Sequence, residues 1–232
     1  MASKIPGVIH IPRLLVALEG PCCAGKTTLG RALLAELRDC EAALVACYAD
    51  YAGGGRFLPR QEADTVQERE EALRRLLDIE AARMAAVPGS CELLIADRSV
   101  HTLLAHSYAM EAAQGTGFFA PSVRLLAQAP GAAWPELILY LDLPQTHISA
   151  RNAGKFPSDS IYIDTAFNQS VREYFLRLAE QKPLRVAWLD ATLDPAALTQ
   201  QASGQIRHVM ARRNGRGLSH AADAAITTGD FL

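Results

Sequence analysis

The sequence predicts an α/β protein: a parallel five-stranded sheet with helices on both faces. Three observations carry that expectation. Short apolar runs alternate with longer stretches of helical periodicity along the chain. An aspartate falls near the end of four of the five runs, at Asp50, Asp97, Asp142 and Asp190. A glycine-bounded turn, Gly20 to Gly25, separates the first run from the first helix. Strands that alternate with helices are joined by right-handed crossovers, which make the sheet parallel and cover both of its faces.

Taken in order, Arg13 to Leu18 (RLLVAL) reads as a buried strand, and Lys26 to Arg38 carries apolar residues at helical spacing. Ala42 to Tyr48 is a second strand that stops at Asp50, and Ala52 to Pro59 (AGGGRFLP) is a loop. Glu62 to Val87 is a long charged helix whose inner stripe includes Leu73, Leu76 and Leu77, ended by Pro88-Gly89. Leu93 to Ala96 is a third strand, ending at Asp97-Arg98. Ser99 to Gln114 is helical up to the break at Gly115 to Gly117, and Pro121 to Ala129 forms a short helix. Leu137 to Leu141 is a fourth strand, and Pro144 suits the first turn of the helix after it. Arg151 to Ser160 is polar and turn-rich, and Ile163 to Gln181 is helical. Leu184 to Leu189 is the fifth strand, and Pro195 opens a last helix to about Arg213. There is no internal repeat or long linker. The reading is one domain over residues 1–213 with a mobile tail over 214–232.

The chain has 232 residues, of which 50% are hydrophobic and 21% charged, a composition that excludes global disorder. Its 23 Lys and Arg against 25 Asp and Glu leave a net charge of −2, so no nucleic-acid partner is expected. The longest apolar runs, Leu14 to Leu18 and Leu137 to Leu141, are far too short to span a bilayer, so no membrane partner is expected. Residues 1–12 hold Lys4, Pro6, His10 and Pro12 and lack the apolar stretch of a secretory signal. The five cysteines have no zinc-finger spacing, and neither a disulfide framework nor structural zinc follows from them. A reduced, cytoplasmic protein is the simplest reading.

Gly20-Pro21-Cys22-Cys23-Ala24-Gly25-Lys26-Thr27 fits G-x-x-x-x-G-K-[ST] at each fixed position, between a strand and a helix. This Walker A pattern is a phosphate loop. Its glycines let the backbone curl around an anion, and the N–H groups of Gly20, Cys23, Ala24, Gly25, Lys26, Thr27 and Thr28 with the helix N-terminus supply positive potential. Lys26 is placed to reach the β- and γ-phosphates of ATP, and Thr27 to offer a hydroxyl to Mg²⁺. Cys22 and Cys23 read as small loop fillers, with Lys26 as their only evident cationic neighbour.

Leu93 to Arg98 (LLIADR) delivers an acid and a base beside the first strand. Asp97 is a candidate for holding Mg²⁺, and Arg98 for neutralising the transferring phosphoryl group. Arg151 and Lys155 lie in a polar segment (ISARNAGKF) where a cationic lid over residues 151–162 would close on a triphosphate and exclude water. Asp142 and Asp190 read as acids marking where strands leave for solvent. No N-K-x-D follows the fourth strand, which argues against a GTPase.

The chain resembles the thymidylate kinase and deoxynucleoside kinase branch of P-loop kinases. The matching stretches are LVALEGPCCAGKTTLGRALLAEL, LLIADRSVHTLLAHSYAM, LILYLDLPQTHISARN and DTAFNQSVREYFLRLAEQKPLRVAWLDAT. The resemblance implies a P-loop sheet with a substrate groove and a lid, and a transferase that uses ATP and Mg²⁺. It makes Lys26 and Thr27 nucleotide and metal residues, Asp97-Arg98 the pair beside the transferring phosphoryl, and Arg151 and Lys155 the lid cations. It also brings Asp190 to Leu193 near adenine. Such kinases often pair through helices, so a homodimer is compatible with the resemblance, while the sequence leaves the oligomeric state open.

The acceptor is where the chain departs from the resemblance. Thymidylate kinases usually carry an Arg with Glu and Pro after the second strand, and deoxynucleoside kinases a Glu-Pro. Here the residues are Tyr48-Ala49-Asp50-Tyr51, with no Arg before Arg56. Asp50 is therefore the candidate base toward a hydroxyl of a nucleoside or another hydroxylated metabolite. A nucleoside monophosphate is the alternative acceptor. A nucleotide-binding switch with slow hydrolysis is the alternative of another class. Arg83, Tyr51, Phe57, His101, His106 and Tyr108 are candidates for the acceptor groove, each also readable as packing.

Overall fold

Strand β1 (Leu14–Glu19) is withdrawn from solvent at every residue, so its two faces need two different covers. Leu14, Val16 and Leu18 pack with Leu29 and Leu33 on one side, while Ala17 joins Leu104, Tyr174 and Phe175 on the other. The computed structural model describes residues 13–59, 65–115, 117–182 and 185–216.

Strands β2 (Ala42–Val45), β3 (Leu93–Asp97), β4 (Leu137–Asp142) and β5 (Val186–Asp190) join β1 in one parallel sheet, ordered β2-β3-β1-β4-β5. The predicted fold class is the observed one. One face is covered by α1 (Lys26–Glu36) and α8 (Pro195–Arg216). The other is covered by α3 (Val66–Ala85), α4 (Val100–Gln114), α5 (Phe119–Gln128) and α7 (Thr165–Gln181). Register sets Leu18 beside Asp97, so β1 and β3 deliver their ends to one place. Among the described residues no helix is long and apolar enough to cross a membrane.

Several boundaries differ from expectation, each for a local reason. Strand β2 stops at Val45 instead of running to Tyr48. Arg83 Nη1 donates to Ala46 O at 2.8 Å and takes the carbonyl that would prolong the ladder. Tyr48–Tyr51 then forms a one-turn helix, α2, whose Asp50 N–H donates to the Cys47 sulfur. Asp50 thus sits on a helical turn and not at a strand end. Helix α3 starts at Val66 because Thr65 and Glu68 form a capping box. The earlier residues of the expected helix, 62–64, lie outside the described residues, as do 1–12 and the tail from 217.

The segment expected as an irregular lid is more ordered than its composition suggests. Arg151 and Asn152 close α6 (Gln145–Asn152), and a 3-10 turn, Ile161–Ile163, precedes α7. Between them, the Asn152 amide donates to Phe156 O and accepts from Phe156 N, both at 2.9 Å. Helix α8 continues to Arg216, past the expected end near Arg213.

His101 is fully buried between α4 and α7. Its Nδ1 lies 2.9 Å from the Tyr174 hydroxyl, its ring meets Trp134 edge-on, and Nε2 has no hydrogen-bond partner among the described residues. Burial, aided by Arg185 and Lys182, pulls its pKa from 6.5 to about 3. The folded state therefore refuses a proton that the unfolded chain binds below pH 6.5, and stability is lost as pH falls from 6.5 toward 3. At pH 5 the loss is about 2 kcal/mol. Urea midpoints at pH 7 and pH 5 test this: His101→Leu should show a smaller drop than the wild type. Equal drops would mean that His101 does not enter the fold as a buried neutral ring.

Candidate active site

The phosphate loop follows β1 directly, and two backbone positions give it its shape. Gly20 adopts φ +126°, and a Cβ there would lie 2.5 Å from Leu141 O, so no side chain is accommodated. Gly25 adopts φ +94° and turns the chain into α1. Cys23 takes φ +63° without being glycine. Ala24 turns its methyl group into the core, while Cys22, Cys23, Gly25, Lys26, Thr27 and Thr28 line a cleft of about 1170 Å³.

Lys26 is buried, and its ammonium donates to Gly20 O at 3.1 Å and Pro21 O at 2.7 Å. Burial, and then the Arg98 charge, lower its pKa to about 8. Thr27 Oγ1 donates to Asp97 Oδ2 at 2.5 Å, joining the start of α1 to the end of β3. Arg98 adopts φ +72°, its N–H donates to Leu18 O at 3.1 Å, and its Nη2 lies 3.4 Å from the Cys22 sulfur. Lys26, Thr27, Asp97 and Arg98 thus converge on one end of the cleft.

Asp50 lines the same cleft from α2 and is exposed. Arg56 lines it too, with its guanidinium 4.7 Å from the centre of the Phe57 ring. Arg151 and Lys155 complete the third side. Arg151 Nη2 donates to Ala191 O at 3.1 Å, which ties the end of α6 to the turn after β5. The Lys155 ammonium lies 5.4 Å from the centre of the Phe156 ring.

Of the six acceptor-groove candidates, His106 alone lines the cleft. Burial, and then Arg98 and Lys26, pull its pKa down to about 3, and its ring lies edge-on to Phe167 at 5.3 Å. The other five are corrected. His101 belongs to the core. Tyr108 meets Phe119 edge-on and lies under Arg177. Tyr51 and Phe57 point to solvent. Arg83 is buried, paired with Glu80 at 2.5 Å and donating to Arg98 O at 2.6 Å, so it positions the turn that carries Arg98.

Glu19 went unnoticed in the sequence. Its buried carboxylate accepts from Ser99 N at 2.9 Å, Ser99 Oγ at 2.7 Å and Thr102 Oγ1 at 2.5 Å, anchoring the start of α4 behind Arg98. Burial lifts its pKa, while Thr102, Arg98, Ser99 and Lys26 pull the other way. The available signal was an acid closing an otherwise apolar strand. Asp142 pairs with Arg172 through both oxygens, at 2.9 and 2.8 Å, and Asp190 accepts from Thr192 N. Both behave as acids at strand exits, beside a smaller hollow of about 540 Å³ between β4, β5 and α7.

No family model matches the chain. A thymidylate kinase of Deinococcus radiodurans is 32% identical over 193 residues, covering 77% of this chain and 89% of that protein. One from Desulfovibrio desulfuricans is 30% identical over 207 residues, covering 84% and 82%. One from Thermomicrobium roseum is 29% identical over 213 residues, covering 85% and 96%. Among solved structures, a deoxyadenosine kinase from M. mycoides with products bound matches the fold with a TM-score of 0.62 at 12% identity, covering 84% of this chain and all of that one. At these identities and coverages the chain belongs to the thymidylate kinase family and is a P-loop phosphotransferase, a small-molecule kinase.

Proposed function

We propose that this kinase transfers the γ-phosphoryl group of ATP, with Mg²⁺, to a hydroxyl of a nucleoside-like acceptor. The observation that carries the reading is the carboxylate of Asp50 in the same cleft as the phosphate loop. A hydroxyl must lose a proton during transfer, and a positioned carboxylate takes it.

The Thr27 hydroxyl and Asp97 carboxylate are hard oxygen donors already in contact, a set that suits Mg²⁺. Bound there, the metal would supply charge neutralisation at the phosphate oxygens. Lys26 exchanges the carbonyls of Gly20 and Pro21 for phosphate oxygens, and the N–H groups of the loop cradle the same anion. Arg98 leaves the Cys22 sulfur for the transferring group, where its charge matters most. Arg151 and Lys155, within residues 151–162 acting as a lid, close the third side against water. Asp50 accepts the hydroxyl proton. His106, neutral, borders the acceptor together with Phe167 and Tyr162.

A nucleoside monophosphate acceptor is the second reading. It is favoured by Arg56 in the cleft, a cation within reach of an acceptor phosphate, and by the thymidylate kinases among the relatives. ADP formation over a panel of nucleosides and nucleoside monophosphates separates the two. Nucleosides should accelerate ADP release. Faster release with monophosphates would replace the hydroxyl reading, and slow release indifferent to any acceptor would favour a hydrolytic switch.

A further inference from the structure

Leu103, His106 and Met110 line the cleft from one stripe of α4. Leu58, Leu76 and Phe167 continue that wall with apolar surface. The hydroxyl groups beside it are already engaged: Thr102 Oγ1 donates to Glu19 at 2.5 Å, and Ser160 Oγ accepts from Tyr162 N. Arg83 lies seven residues after Leu76 on α3, but its guanidinium is buried and spent on Glu80, Ala46 O and Arg98 O. His106 differs from all of these. It is half-buried, edge-on to Phe167 at 5.3 Å and tilted against Tyr162 at 5.9 Å. Neither of its ring nitrogens has a hydrogen-bond partner among the described residues. In His101 the Tyr174 hydroxyl engages Nδ1, and such a partner fixes which nitrogen carries the proton. In His106 that choice is left to whatever enters the cleft. Burial, and then Arg98 and Lys26, keep the ring neutral, so it offers one donor and one acceptor.

We propose that this wall makes the kinase tolerant of the acceptor's base: apolar contact holds a planar ring, and His106 reads its edge, donating or accepting as the ring requires. The inference rests on the reading that the acceptor is nucleoside-like and lies on this side of the cleft. It adds how acceptors are ranked. Thymine and guanine present a carbonyl where cytosine and adenine present an amino group. A site built to hydrogen-bond one pattern leaves its own buried groups unpaired with the other and rejects it by about 10⁴–10⁵. An apolar pocket ranks its occupants by size and contact, within about 10–200-fold. A neutral imidazole whose tautomer is not fixed meets either pattern with one hydrogen bond, so the bases are ranked as an apolar pocket ranks them.

The test measures ADP formation by the full chain with thymidine, deoxycytidine, deoxyadenosine, deoxyguanosine and a 2-deoxyriboside carrying a phenyl ring in place of the base. In the wild type, kcat/KM should differ among the four nucleosides by no more than about 200-fold, and a larger spread overturns the proposal. His106→Leu should raise the KM of each nucleoside about tenfold, leave the KM for ATP unchanged and leave the phenyl riboside unaffected. His106→Gln, which keeps a donor and an acceptor, should recover most of that loss. Equal losses on all five acceptors would make His106 a packing residue, and no loss on any would free it of the acceptor; either result overturns its part. The wild-type spread needs no variant and stands if His106→Leu fails to fold. If only monophosphates are consumed, the hydroxyl reading falls, and the same ratios measured on the monophosphates decide the tolerance. If neither class is consumed, the reading of the cleft and this inference fall together.

Discussion

Lys26→Ala is expected to cut turnover by roughly 10²–10³, the usual consequence of deleting one preorganised contact to developing charge. The fold should persist. Gly20 and Gly25 shape the loop through their own backbone angles, and the lysine contributes two hydrogen bonds to loop carbonyls and nothing to the sheet. In the wild type the ammonium is already inside the loop, held by Gly20 O and Pro21 O, so little reorganisation precedes its encounter with phosphate. The alanine variant has the same backbone N–H groups but no charge at that point. ADP formation measures the loss, and a thermal melt within a few degrees of the wild type certifies the fold. A variant that keeps most of its turnover would remove this cleft from consideration as the site of transfer.

Asp50→Asn is expected to lower turnover by at least about 10² with a nucleoside acceptor, while the KM for ATP stays nearly constant. The substitution is conservative in shape. The bond that forms α2 joins the Asp50 backbone N–H to the Cys47 sulfur and does not involve the carboxylate. What disappears is the capacity to take a proton. An acceptor phosphate needs no such base, because its second pKa is about 6 and it is largely deprotonated at pH 7. The variant therefore discriminates between acceptors as well as between roles. Full turnover in Asp50→Asn, with a monophosphate as the better substrate, would replace the hydroxyl kinase with a nucleotide kinase and give Arg56 the central part.

The phosphate loop, the strand order of events along the chain and the Asp97-Arg98 pair were legible in the sequence because each is local. The motif's fixed positions fall within eight consecutive residues, and parallel strands buried on both faces read as unbroken apolar runs. The end of β2 was not legible. Tyr48 suits a strand by composition, but Arg83, 37 residues from Ala46, takes the carbonyl that the ladder required. The acceptor wall was not legible either. Helix α4 buries Val100 through Ala105 without a break, since β1 and α7 both press on it, so no polar stripe says which residues face the cleft. His106 was separated from His101 and Tyr108 by packing alone.

Amino-acid sequence by itself determined the sheet, the place of the loop between β1 and α1 and the strand end that meets it, because hydrophobic periodicity and short motifs act over a few residues. Tertiary structure decided the rest through register: Leu18 lies beside Asp97, and that pairing brings Thr27 to Asp97, Glu19 to Ser99 and Thr102, and Arg98 to Cys22. Those contacts join residues 70 or more positions apart, and no local pattern encodes them, since they exist only once two strands bury their apolar faces side by side.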